Sequence, residues 1–114
     1  MKADAPPSRL AVYGTLQPGG PNAHLLDQLE GSWVAGHVRG ELRDAGWGAG
    51  VGYPGIRLDN DAVPVSVMVL ESSALDDEWQ RLDDFEGPEY RRVLCNVDIT
   101  SGVIEAYIYE LRDS

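Results

Sequence analysis

The period of apolar positions changes several times along this chain, and each change marks an element. "RLAVYGTL" (Arg9 to Leu16) is a short apolar run that enters the loop "QPGGPN" and predicts a first strand. In "AHLLDQLE", Leu25, Leu26 and Leu29 share one helical face, with Asn22 placed to cap the helix and Gly31 to stop it. "WVAGHVRGELRDA" (Trp33 to Ala45) alternates loosely and predicts a strand weakened or bulged at Gly36 and Gly40. The next stretch, "GWGAGVGYPGIRLD", shows no period and receives no element. "VPVSVMVLE" (Val63 to Glu71) is apolar on both faces, as in a central strand covered on both sides, with Pro64 near its start.

The segment "SALDDEWQRLDDFEGPEYRR" (Ser73 to Arg92) returns to the helical period. Leu75, Trp79 and Leu82 form an apolar stripe, and the next position on that face is Glu86. Asp76, Asp77, Asp83 and Asp84 take the wetter sides. Ser73 and Asp76 match a capping box, and Gly87-Pro88 ends the predicted helix over 74–86. "YRRVLCNVDIT" then puts Val93, Cys95, Val97 and Ile99 on one face. "TSGV" turns the chain into "VIEAYIYEL", closing a hairpin. Strands and helices do not alternate, so a doubly wound sheet is excluded. The order predicts an α+β domain, a curled, mostly antiparallel sheet or small barrel with two main helices packed against it.

Composition narrows the function classes. The 114 residues suit one domain, expected over 9–114, behind a flexible tail at 1–8. The tail "MKADAPPS" lacks the apolar segment of a secretion signal, and no later run is long enough for a membrane span. Nine Lys and Arg stand against nineteen Asp and Glu, a net charge of −10 that repels phosphate backbones and anionic membrane surfaces. Neither nucleic acid nor membrane is therefore expected as a partner. Cys95, the single cysteine, excludes an intrachain disulfide and indicates a reducing, cytoplasmic setting.

Familiar site chemistries fail one by one. "GTLQPGG" lacks the Lys-Ser/Thr of a phosphate-binding loop, and "GWGAGVG" opens no helix because Pro54 interrupts it. His24 and His37 have neither helical pairing nor neighbouring thiols, so no metal site is expected. Cys95 sits on an apolar strand face, a core position rather than that of a nucleophile.

Two stretches carry chemistry. In "YGTLQPGGPN" (Tyr13 to Asn22), Gly14 lets backbone approach a ligand, and successive N–H groups at a strand end can form an anion-binding nest. The bland reading is a tight turn that needs glycine. The second is Glu86 with Tyr90. A carboxylate at a helix C-terminus, beside an apolar wall, is disfavoured as an anion, which raises its pKa toward the range of proton transfer at neutral pH. The bland reading here is a last-turn glutamate turned to water.

Taken together, "YGTLQPG" fits Y-G-T-L-x-x-G, and "EGPEYRR" fits E-G-x-x-Y-x-R further along. The pair, with "GYPGIRLD" between, resembles the gamma-glutamylcyclotransferase-like family, in particular its short bacterial branch similar to gamma-glutamylamine cyclotransferase. The resemblance runs from Arg9 to about Leu111. It implies a small mixed barrel with a cavity at one end. It also implies a cofactor-free reaction in which a gamma-glutamyl amide cyclises to 5-oxoproline and releases an amine or amino acid. Carried over residue by residue, the acid/base group is Glu86. The substrate-holding loop is Tyr13, Gly14, Thr15 and Leu16, with Pro54 and Tyr90 in the wall. The expected partner is a small gamma-glutamyl molecule, and the expected state is a monomer or homodimer. The alternative from a different class is a noncatalytic module binding a small carboxylate metabolite in the same cavity. A scaffold acting through its acidic surface is a third.

Overall fold

The structure, a computed structural model, describes residues 8–13, 26, 29–44, 54–87 and 90–111. Six strands follow in order: β1 Arg9–Val12, β2 Ser32–Asp44, β3 Pro54–Leu58, β4 Pro64–Glu71, β5 Tyr90–Ile99 and β6 Gly102–Leu111. Between β4 and β5 lie a short 3₁₀ helix, Ser73–Asp77, and the helix α1, Trp79–Glu86. Five strands close a ring, β1–β4–β2–β3–β6 and back to β1, while β5 flanks it, paired along β6 and bridging β2 at His37 and Asp98. β1 and β3 run parallel to β6, and every other pairing is antiparallel. The architecture is thus the mixed, mostly antiparallel barrel expected. Among the described residues α1 is the only α-helix of any length. The other expected helix lies outside them, apart from helical, buried Leu26 and half-buried Leu29.

Strand alternation sorts the apolar side chains into two layers. Ala11, Val38, Ile56, Val67, Val69, Val97, Ala106 and Ile108 come from all six strands and fill the barrel interior. Leu10, Val12, Leu70, Tyr109 and Leu111 point the other way, and Leu75 and Leu82 close over them from the helical segment. β4 contributes to both layers, through Val67 and Val69 inside and Leu70 and Met68 outside, as its two-faced apolar pattern requires. Val93, Cys95, Val97 and Ile99 do share the inner face, but only Val97 is fully buried; the other three are half-buried.

Four local expectations change. β2 is continuous, without a bulge at Gly36 or Gly40: it pairs with β4 up to Arg39 and with β3 from Gly40 onward. Gly36 is needed for close approach, since a Cβ there would stand 2.7 Å from Val97 Cγ1 and 2.8 Å from the Asp98 carbonyl. β3 was hidden in the glycine-rich stretch, because a five-residue strand opening on Pro-Gly shows little alternation. The predicted single helix is split at Glu78, and Ser72 rather than Ser73 caps it, its Oγ accepting from the Ala74 N–H at 3.2 Å. Asp76 serves no capping box; it accepts from the Ser8 hydroxyl at 2.8 Å, which ties the chain before β1 to this segment.

Candidate active site

The end of α1 is built by its sequence. Leu82 is completely buried, and Glu86 follows one turn later on the same side. Gly87 stops the helix in the left-handed region at φ 88°, its N–H bonded to the Asp83 carbonyl at 3.1 Å. The Tyr90 N–H then donates to the Gly87 carbonyl at 3.3 Å, so the chain turns directly into β5 with the Tyr90 ring in the outer core. This leaves the Glu86 carboxyl largely shielded from water. Among the described residues no hydrogen bond or ion pair satisfies it. Burial pushes its pKa from the usual carboxylate value up to about 7.

Tyr13 stands immediately beyond β1. Its hydroxyl donates to the Tyr109 carbonyl at 2.7 Å and accepts from the Ile56 N–H at 3.0 Å. Burial raises its pKa, the bond from Ile56 works against this, and the charges of Glu86 and Glu110 and the Tyr90 phenol add to it. Glu86 is therefore near Tyr13, and its charge opposes ionisation of Tyr109 as well. Both phenols remain neutral at physiological pH. Tyr13 is committed to joining β1, β3 and β6, so what it offers a ligand is its ring and its backbone rather than its hydroxyl. Gly14, Thr15 and Leu16 lie outside the described residues. Pro54 begins β3, two residues before Ile56.

Glu110 is a functional candidate that the sequence reading missed. It is a buried carboxylate, 7% exposed, on the inner side of β6. One oxygen accepts from the Leu58 N–H at 2.9 Å, the other from Arg91 at 3.3 Å. β3 and β6 share a single register pair, Ile56 with Glu110, so Tyr13 and Glu110 supply by side chain the closure that the ladder lacks. A cluster of "YEL" after an alternating strand gave no signal of this. Three residues before Glu86 on α1, Asp83 accepts from Arg92 and from the Tyr109 hydroxyl, beside a cavity of about 510 Å³ that Gly87 and Tyr90 also line. Cys95 is half-buried against the inner layer, and burial pushes its thiol up to about 11, which removes it as a nucleophile at neutral pH. Among the described residues no group of three or more His, Cys, Asp or Glu side chains could hold a metal ion.

The model of the family described as gamma-glutamyl cyclotransferase, AIG2-like, matches residues 10–114. The chain belongs to that family. Solved structures agree with the assignment. YkqA from Bacillus subtilis superposes with a TM-score of 0.72 at 26% identity, over 96% of this chain and 37% of that one. An AIG2-like protein from Mus musculus gives 0.69 at 24% identity, covering 93% of this chain and 78% of that one. An Arabidopsis thaliana protein gives 0.70 at 23% identity, covering 96% and 72%. The chain thus spans little more than a third of YkqA. No curated protein matches the chain. No helix among the described residues is long and apolar enough to cross a membrane.

Proposed function

We propose that this member of the gamma-glutamyl cyclotransferase, AIG2-like family converts a gamma-glutamyl amide to 5-oxoproline without a cofactor, using Glu86 as its acid/base group. The observation that carries this reading is the half-buried Glu86 carboxyl at the helix end, which no described side chain satisfies and whose pKa burial raises to about 7. In the reaction, the substrate α-amine attacks its own γ-carbonyl carbon. A C–N bond forms to close the ring, and the bond from that carbon to the leaving amine breaks. The α-ammonium must lose one proton before the attack and the new ring nitrogen a second after it, and the departing nitrogen takes them up and leaves as an ammonium. A single carboxyl whose pKa lies near the working pH performs both transfers in turn, a contribution of roughly 10² to 10⁴-fold. Holding the two reacting groups of one molecule together supplies a further large part, about 7 to 11 kcal/mol.

The apolar surroundings raise the proton affinity of the Glu86 carboxylate, so that near neutral pH its ionised form attracts the arriving ammonium strongly and takes its proton. The glycine loop from Tyr13 to Leu16 is proposed to bind the substrate α-carboxylate or the developing oxyanion through its N–H groups. Pro54 and Tyr90 are proposed as its wall. The net charge of −10 supports a small-molecule partner rather than nucleic acid or a membrane surface, and the lone Cys95 supports a cytoplasmic setting. The test is incubation with a panel of gamma-glutamyl amino acids and gamma-glutamylamines, with 5-oxoproline read by mass spectrometry. The expected result is release from at least one substrate class by the natural chain and a fall of 10² or more in Glu86→Gln. Failure of every substrate, or full activity in the variant, would refute the reading.

A further inference from the structure

The last turn of α1 is held from two strands at once. Arg92 of β5 donates to Asp83 twice, from Nε at 2.9 Å and from Nη2 at 3.2 Å. The same guanidinium lies 4.5 Å from the centre of the Trp79 ring and 4.8 Å from that of Tyr107, rings that themselves meet edge to face. Tyr109 of β6 donates its hydroxyl proton to Asp83 Oδ1 at 2.6 Å. Asp83 and Glu86 are three positions apart, so they share a side of the helix. Tyr109 is bonded to the first and lies near the second. The Asp83–Arg92 pair is partly wet, with 40% and 23% of the side chains exposed, so it adds little stability as an ion pair alone. Its significance is its place, beside a carboxyl that no described cation satisfies.

We propose that Asp83, Arg92 and Tyr109 are positioning residues for Glu86: they hold the end of α1 against β5 and β6, and Arg92 cancels the Asp83 charge so that Glu86 titrates free of it. The inference rests on Glu86 being the proton carrier of the proposed function. Among the described residues, Tyr90 on β5 and Glu110 on β6 share with Glu86 the surroundings of Tyr13, and exposed Asp84 on α1 and Arg91 on β5 line the cavity beside Asp83 and Arg92. Of these, Glu110 is compensated by Arg91, and Tyr13 stays neutral. Burial raises the proton affinity of Glu86.

Charge cancellation has a signature that mere anchoring lacks, because removing either partner must move Glu86 in opposite directions. The experiment is a ¹³C-carboxyl NMR titration of Glu86, its resonance assigned by loss in Glu86→Gln, alongside the pH profile of kcat/KM. Arg92→Met leaves the Asp83 anion uncompensated and is expected to raise the Glu86 pKa by about half a unit to one unit. Asp83→Asn leaves the Arg92 cation uncompensated and is expected to lower it by a similar amount. Arg92→Lys keeps the charge and should return the pKa to its natural value, while the lost bidentate geometry lowers kcat severalfold. If Arg92→Met does not fold, Asp83→Asn and Arg92→Lys still decide the matter. An unmoved pKa, or shifts of the same sign in both charge-removing variants, would overturn the proposal. Opposite shifts in a protein that forms no 5-oxoproline would uphold the charge coupling and refute the catalytic reading of Glu86 instead.

Discussion

Glu86→Gln should stabilise the protein, and by an amount that grows with pH. The native carboxyl titrates at about 7 against an ordinary value of 4.5, because burial penalises its anion. Below the unfolded value, both states carry the proton and ionisation costs nothing. As pH rises from there, the unfolded chain ionises while the native carboxyl stays protonated, so native stability is lost progressively until pH passes the folded value. Above it the loss is complete. The gap between the two values corresponds to about 3 kcal/mol at pH 8.5 and about 1 kcal/mol at pH 5, taking about 1.36 kcal/mol for each pH unit. A glutamine keeps the shape and does not ionise, so it escapes that loss. Urea titrations of both proteins at pH 5 and pH 8.5 measure the difference, and the subtraction removes the pH response of the other eighteen acidic groups. The expected result is a stability gap that widens by about 2 kcal/mol between the two pH values. A gap independent of pH, or one favouring the natural chain at pH 8.5, would show that Glu86 is solvated and would remove the physical basis of its assigned role.

Activity should follow the same group. The kcat/KM of the natural chain should rise along an acid limb with an apparent pKa near 7, measured from pH 5 to 8 with a saturable gamma-glutamyl substrate. Tyr13→Phe removes the hydroxyl that joins the Tyr109 carbonyl to the Ile56 N–H, and should cost about 1 to 3 kcal/mol in urea unfolding. Gly55→Ala would bring a Cβ to 2.5 Å from Leu111 Cγ, and the strain should cost about 1 to 3 kcal/mol, read as a lowered Tm. Cys95, with its thiol pushed up to about 11, should react with iodoacetamide roughly a hundredfold more slowly at pH 8.5 than a free cysteine does, and unfolding in urea should abolish the difference.

Local sequence was enough to determine whatever depends on neighbours a few residues apart. The apolar stripe of Leu75, Trp79 and Leu82 marked the helical segment, and Gly87 marked its end. Together they placed Glu86 at the last turn beside the core. Alternation along Val63–Glu71 and Tyr90–Leu111 marked β4, β5 and β6, because a strand carries the record of its two faces in its own residues. Alternation names a face, however, and not a partner. That β6 should run parallel to both β1 and β3, and so close the ring, depends on pairings across long stretches of chain that no local period encodes. The same holds for the side chains that finish the site. Tyr13 bonds a carbonyl 96 residues away, Glu110 reaches the Leu58 N–H 52 residues away, and Tyr109 meets Asp83 across 26. Gly36 looked like a weak point in β2 until β5 was found against it. The sequence thus determined that a carboxyl would end the apolar face. Only the closed barrel decided how deeply it is shielded, and therefore where it titrates.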